Sequence, residues 1–283
     1  MSTNIENCEK YIKKQSLLGT ETFKFEIKPE TDEVLLKKYI ENDDEFRAIE
    51  IPKFVTGISR KVDSLGFIKD WNTPFNRVKQ NLKIINNSKI TDMSYMFFNY
   101  SGNKIDLSEF DTTGVTNMKK MFSNCGKVRE FDLRNFDTSE VKDMQEMFSR
   151  CLDAENIDLS SFSTHRVTNM RRMFFNCTNI KELDVSSLNT ESVTDMSEMF
   201  ASCFKLQKLD LRNFDTSNAD TLEEMFTFCT SLTELDISSF KIKHKIVLLF
   251  DMFKNCNTLV KIKVNDERII VEQAVSFRVE RTG

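Results

Sequence analysis

The chain has 283 residues, enough for one large domain or two ordinary ones, and its 40% hydrophobic content fills a core, which excludes a disordered chain. Its 40 basic and 44 acidic residues are mixed along the sequence for a net charge of -4, so no basic stripe follows a phosphate backbone and nucleic acid is not an expected partner. No run of 18 apolar residues occurs, and no membrane-spanning segment is expected.

The opening MSTNIENCEKYIKK is acidic and polar where a secretory signal would carry a basic segment and an apolar run, which points to a cytoplasmic chain. The seven cysteines fit the same reducing compartment. Phe23 to Ile27 alternates like a strand, and Thr31 is placed to cap a helix through Glu41, so 1–45 reads as an N-terminal α/β cap. Within 46–89, Arg47 to Phe67 reads RAIEIPKFVTGISRKVDSLGF, and the LKIINNSKI of 82–90 predicts a strand.

From 90 to 264 one 26-residue unit recurs seven times. The dipeptide Met-Phe ends at Phe97, Phe122, Phe148, Phe174, Phe200, Phe226 and Phe253, which define units 1 to 7. Cys follows three residues later in six of them, as Cys125, Cys151, Cys177, Cys203, Cys229 and Cys256, with Tyr100 in the first. An Asp-aliphatic pair keeps the period at Asp106, Asp132, Asp158, Asp184, Asp210 and Asp236. The consensus is V-T-[DN]-M-x-x-M-F-x-x-C-x-x-[LIV]-x-x-L-D-[LIV]-x-x-F-[DN]-T. Val115, Met118, Met121 and Phe122 share one face at helical spacing, with Thr116, Thr168 and Thr194 where an N-cap would sit. Alternation around Asp236 predicts a short strand. One unit cannot bury its Met, Phe, Cys and Leu side chains, but stacked units share a continuous core, and each marker becomes a column.

At the end of the array Lys261-Ile262-Lys263-Val264 places two Lys on the strand, charge that discourages pairing with other molecules. NDERIIVEQ reads as a turn and a further strand, so 265–283 is expected to be a C-terminal strand cap.

These motifs resemble the BspA-like leucine-rich-repeat family of bacterial surface proteins, in its mycoplasma-lipoprotein type of repeat, D-T-S-x-V-T-x-M-x-x-M-F-x-x-C-x-x-L-x-x-L-D-L-S-x-F. Asp215-Thr216, Met225-Phe226, Cys229, Leu232, Asp236 and Phe240 carry the match. Arg47 to Phe67 is similar to the related treponemal-type repeat, with Ile49, Ile51, Val55 and Ile58 in its core positions, making 46–89 degenerate leading repeats. The resemblance implies an α/β repeat solenoid: a leucine-rich-repeat-like right-handed stack with one parallel sheet and short helices, capped at both ends. It also implies display on a cell surface and use in adhesion or protein binding, against the cytoplasmic reading of the N-terminus. The sequence lacks the lipobox cysteine and wall-anchoring tail of surface members; no hydrophobic segment precedes Cys8.

Six thiols in register suggest metal or redox chemistry, but one Cys per unit does not converge on a tetrahedral site, and free Cys packs readily in cores. The Asp column lies between inward aliphatic positions and should line the outer face of the sheet. Carboxylates about 5 Å apart should raise one another's pKa values unless neutralised; Arg134 and Arg212 could do so locally. The neighbouring positions vary: Glu130, Asn156, Glu182, Lys208 and Glu234 on one side, and Arg134, Ser160, Ser186, Arg212 and Ser238 on the other. This variation marks Asp132, Asp158, Asp184, Asp210, Asp236, Arg134 and Arg212 as a candidate ligand face, against the plainer reading of a solvated ladder. A glycosidase-like carboxylate pair is disfavoured because all six environments look alike. His165 and His244 read as solvated turn residues. No phosphate-binding loop, H-E-x-x-H or G-x-S-x-G motif occurs, so no enzyme activity, cofactor or metal is expected. The expected partner is a protein or cell-surface macromolecule, bound by an adhesion module or by an intracellular scaffold or effector; the oligomeric state is left open.

Overall fold

Each Met-Phe segment carries more apolar surface than one unit can hide, and the structure buries it between successive units. This computed structural model describes residues 91–242, 249–266, 268–271 and 278–281, with the backbones of four strands: β1 (Phe25–Lys28), β2 (Glu33–Leu36), β3 (Arg47–Ile51) and β4 (Leu82–Asn86). The further elements are β5 (Ile105–Glu109), β6 (Glu130–Phe131), β7 (Asn156–Ile157), β8 (Glu234–Asp236), β9 (Lys261–Val264), helix α1 (Arg268–Val271) and β10 (Arg278–Arg281). Thr31, Val55, Ile58, His244 and Cys8 lie outside the described residues.

The rings of Phe97, Phe122, Phe148, Phe174, Phe200, Phe226 and Phe253 form one continuous stack, with centroids 5.2 to 5.8 Å apart and planes within 9° of parallel. Beside it run the buried Met pairs and the Cys column. Each described Cys Sγ–H is directed at the Phe carbonyl of the preceding unit, from Cys125 to Phe97 O at 3.2 Å through Cys256 to Phe226 O at 2.9 Å. The cysteine segments are therefore aligned in a row through the interior, as stacking requires.

The Met-x-x-Met-Phe segments are turns, not the short helices the periodicity predicts. The N–H groups of Met118, Lys120, Phe122 and Asn124 donate to carbonyls of the next unit, Asp143, Gln145, Met147 and Ser149, at 2.7 to 2.9 Å. Alternate amides are thus used sideways, and the amides between them close tight turns, Met121 to Met118 and Ser123 to Lys120. Left-handed residues at Lys120 (φ 55) and Asn124 (φ 64), repeated at the same positions in every unit, interrupt any helix. Apolar spacing fixed which face is buried but could not tell i→i−4 bonds from bonds to a neighbouring unit. Thr116, Thr168 and Thr194 accordingly cap nothing; their hydroxyls reach back to carbonyls of the preceding unit at 3.1 to 3.3 Å. The turn is held one residue later, where Asp143 Oδ1 accepts the Gln145 N–H at 2.8 Å and Asp195 Oδ1 that of Ser197 at 2.9 Å.

Pairing between units is parallel, but the predicted single sheet is divided among the described residues. β3-β4-β5 form one strip, β6-β7 a second and β8-β9-β10 a third, with isolated bridges at Glu182↔Lys208 and Asp210↔Asp236 in the equivalent segments of units 4 to 6. Another ladder of bridges runs from Asp92 through Asn117, Asp143, Asn169 and Asp195 to Thr221. The strands are short because each column Asp bends the chain by accepting the N–H two residues on, as Ser186 N to Asp184 Oδ1 at 2.9 Å.

The ends differ from expectation in two places. Glu33–Leu36 is a strand antiparallel to Phe25–Lys28, not part of a helix from Thr31 to Glu41. Its Val-Leu-Leu run is too short for periodicity to separate the two. After β9, Arg268–Val271 is helical where a strand was expected, with Asp266 Oδ1 accepting the Arg268 N–H at 3.2 Å. β10 then pairs parallel with β9, Arg278 opposite Lys261, so the lysine-bearing strand is flanked on both sides.

Candidate functional site

The Asp column faces outward as alternation requires: Phe131 and Leu133 are buried while Asp132 and Arg134 are exposed, and Leu183 and Val185 are buried while Asp184 and Ser186 are exposed. The column positions Glu130, Asn156, Glu182, Lys208 and Glu234 come to one line by parallel pairing of β6 with β7, the Glu182↔Lys208 bridge and β8 with β9.

The six environments are not alike. Arg134 grips Asp132 with Nε and Nη2 at 2.8 and 2.7 Å, and Arg212 grips Asp210 at 2.9 and 2.5 Å. Lys263 reaches Asp236 at 3.4 Å, and Lys208 binds Glu182 at 2.8 Å. Asp158 and Asp184 carry no ion pair among the described residues; each accepts the N–H of the serine two positions on, at 3.0 and 2.9 Å, and Asp184 is held by the Ser186 side chain as well. Ser108 likewise donates to Asp106 at 3.0 Å. An open depression of about 730 Å³ lies on this face, lined by Asn156, Glu182, Asp184, Lys208, Asp210 and Arg212 among others.

At Asp132, Asp184, Asp210 and Asp236 the carboxyl pKa is lowered, not raised as expected. The Arg134 side chain lowers Asp132, and Ser186 lowers Asp184. The Arg212 side chain, then its N–H, holds Asp210 down to about 2. At Asp236 burial pushes upward, but Ser238 and Lys263 together outweigh it. Local hydrogen bonds at under 3.2 Å outcompete repulsion between exposed carboxylates, which water screens. Because the folded pKa of Asp210 lies below its ordinary 3.8, its stabilising contribution is present above about pH 4 and is lost as the pH falls through about 2. Carboxyl NMR titration should place the Asp210 midpoint near 2, and Arg212→Ala should return it toward the ordinary carboxylate range; an unmoved midpoint would remove Arg212 as the cause.

The thiols are inert by position. Burial pushes all six upward, Cys203 to about 12 and Cys256 to about 11. Only the thiolate is nucleophilic, so iodoacetamide at pH 8 should leave the array cysteines unmodified by peptide mass spectrometry in the folded protein and label all six in guanidinium. Rapid labelling without denaturant would contradict their burial. Among the described residues no three His, Cys, Asp or Glu side chains gather as metal ligands. His165 is exposed, its Nδ1 2.9 Å from Ser163 Oγ.

Two polar columns escaped the sequence reading. Thr112, Thr138, Thr164, Thr190 and Thr216 are at most 1% exposed, and each hydroxyl both donates to a carbonyl and accepts an N–H of the next unit, all at 2.8 to 3.1 Å. Asn213 donates to Val185 O at 3.0 Å and Leu188 O at 2.8 Å, and Ser187 to Leu159 O at 2.8 Å. The Thr that recurs at the end of units 1 to 5 was the available signal.

Residues 68–178 and 151–265 match the family model described as Mycoplasma protein of unknown function, DUF285. The two matches overlap within the array and together cover well over half of the chain. No curated protein matches it. No helix of the described residues is long and apolar enough to cross a membrane.

Proposed function

This chain belongs to the DUF285 family, and on that premise we propose that it is a non-catalytic binding module of the BspA-like type, its units coiling as a right-handed leucine-rich-repeat solenoid capped at both ends. Its ligand face is the outward Asp column, and its partner is a protein or cell-surface macromolecule presenting basic groups. The observation that carries this reading is the contrast along the column. Asp132, Asp210 and Asp236 are each ion-paired with a cation, whereas Asp158 and Asp184 are capped only by serine, and Asp184 borders an open depression. Two carboxylates without a direct ion pair on a variable surface of a repetitive frame suit an electrostatically chosen partner.

The test reverses those two charges. Asp158→Lys with Asp184→Lys should leave the thermal melt within about 1 kcal/mol of the parent, since both side chains are on the surface. The same change should abolish capture of whatever protein the parent retains from host-cell extract, identified by mass spectrometry. Retention of that protein by the double variant removes this face from the binding role. An intracellular scaffold or effector with the same architecture is the second reading, favoured by the column of free thiols, which a reducing compartment preserves. Cell fractionation with untagged protein separates the two.

A further inference from the structure

The paired residues just before the Met-Phe dipeptide of each unit, between it and a buried Met or Leu, form a face distinct from the Asp column, and its charge is polarised along the stack. In units 2 to 4 the pairs are Lys119-Lys120, Gln145-Glu146 and Arg171-Arg172, and the single carboxylate, Glu146, is already held by Lys120 at 3.3 Å. In units 5 to 7 they are Ser197-Glu198, Glu223-Glu224 and Phe250-Asp251, with four carboxylates and no cation. Glu198 is engaged by Arg172 at 2.7 Å and Asp251 by Lys254 at 2.5 Å, but Glu223 and Glu224 have no ion pair among the described residues. Burial, then Glu198, Asp251 and Glu223, raises the Glu224 carboxyl above its ordinary range. Arg171 also reaches Glu198, at 3.3 Å, so the arginine pair and Glu198 link the basic units to the acidic ones within the chain.

Exposed apolar side chains fall at the acidic end as well. Phe204, Phe228, Phe250 and Val260 are 39 to 60% exposed and belong to units 5 to 7, while among the described residues the basic half exposes Leu152 at 39% and no ring to that extent. The basic end already places cations over rings, Lys120 over Tyr95 at 5.6 Å and Arg172 over Phe175 at 5.1 Å. One end therefore offers cations, and the other offers carboxylates and exposed rings, the two partners that cations seek.

We propose that this face pairs with a second copy of the chain, antiparallel about a two-fold axis, the basic units 2 to 4 of each molecule lying against the acidic, Phe-bearing units 5 to 7 of the other. The occupant is a second copy because both complementary halves lie on one surface, so a single two-fold operation satisfies each half twice. This goes beyond the binding role of the Asp column and does not depend on it.

Sedimentation velocity of the full chain should show a dimer at low salt that dissociates as salt is raised. Arg171→Glu with Arg172→Glu makes the face wholly acidic at its centre, and Glu223→Lys with Glu224→Lys makes it basic. Each pair borrows residues that stand at the same positions in another unit, Glu223-Glu224 and Lys119-Lys120, so the left-handed backbone there is respected. Either variant alone should be monomeric and an equimolar mixture should recover the dimer; the glutamate-to-lysine variant should melt like the parent, whereas the arginine variant, which loses its internal pairs with Glu198, should melt lower. A parent that stays monomeric, variants that still dimerise, or a mixture that stays monomeric overturns the proposal; so does a ladder of ever larger species, the sign of head-to-tail contact. Should a reversed variant not fold, Phe228→Ser with Phe250→Ser, both on exposed rings, should weaken the dimer at least tenfold, and unchanged association would overturn it equally.

Discussion

Phe174→Ala should cost about 3–5 kcal/mol and produce the largest loss of stability of any single truncation in the array. The ring is fully buried, stacked on Phe148 at 5.7 Å and 2° and on Phe200 at 5.6 Å and 7°. Truncation therefore removes two ring contacts as well as opening a cavity. In a stack of units each contacting only its neighbours, the damage falls on both interfaces of unit 4. Urea unfolding should show it as a lower midpoint, with loss of the single cooperative transition if the two halves come apart. Phe174→Leu keeps most of the volume and should cost less, about 1–2 kcal/mol. Equal losses for Ala and Leu would mean that ring stacking, not cavity volume, dominates; a loss below about 1 kcal/mol for Ala would be incompatible with a closely packed column.

Thr190→Val should be nearly as damaging although it opens no cavity. The Thr190 hydroxyl donates to Asp215 O at 2.9 Å and accepts the Asp215 N–H at 2.8 Å, with the residue only 1% exposed. Valine matches the shape and leaves both backbone groups without a partner, at about 1–3 kcal/mol each. The expected loss is about 2–5 kcal/mol, with faster amide hydrogen exchange at Asp215 than in the parent. Thr190→Ser restores the hydroxyl and should recover most of the protection at that amide. If Val and Ser behave alike there, the bridge is filled by another group and the buried ladder is not what joins the units.

Much of the architecture was legible without coordinates because repetition converts sequence period into spatial columns. Once Met-Phe, Cys and Asp-aliphatic markers kept one phase, stacking in register followed from burial alone, and the Phe stack and Cys row are its direct expression. The outward direction of Asp132 through Asp236 followed equally from strand alternation. The backbone between Val115 and Cys125 was not legible, because helical spacing and a series of tight turns bury the same residues. The choice lies in whether amides such as that of Phe122 bond within the chain or to Met147 of the next unit.

The candidate site divides in the same way. Its residues could be named from the period, but their charge states could not, since a column of identical carboxylates predicts mutual repulsion. The fold instead turns each Asp back on its own chain, so that Ser186 or Arg212 decides the local potential. What the sequence by itself determined is the number of units, their register and the split between buried and outward positions, because those follow from where apolar side chains recur. Only the tertiary structure decided the turns, the division of the sheet into strips and the buried Thr bridges. Each of these depends on which polar group of one unit meets which polar group of the next, a pairing that residue spacing does not encode.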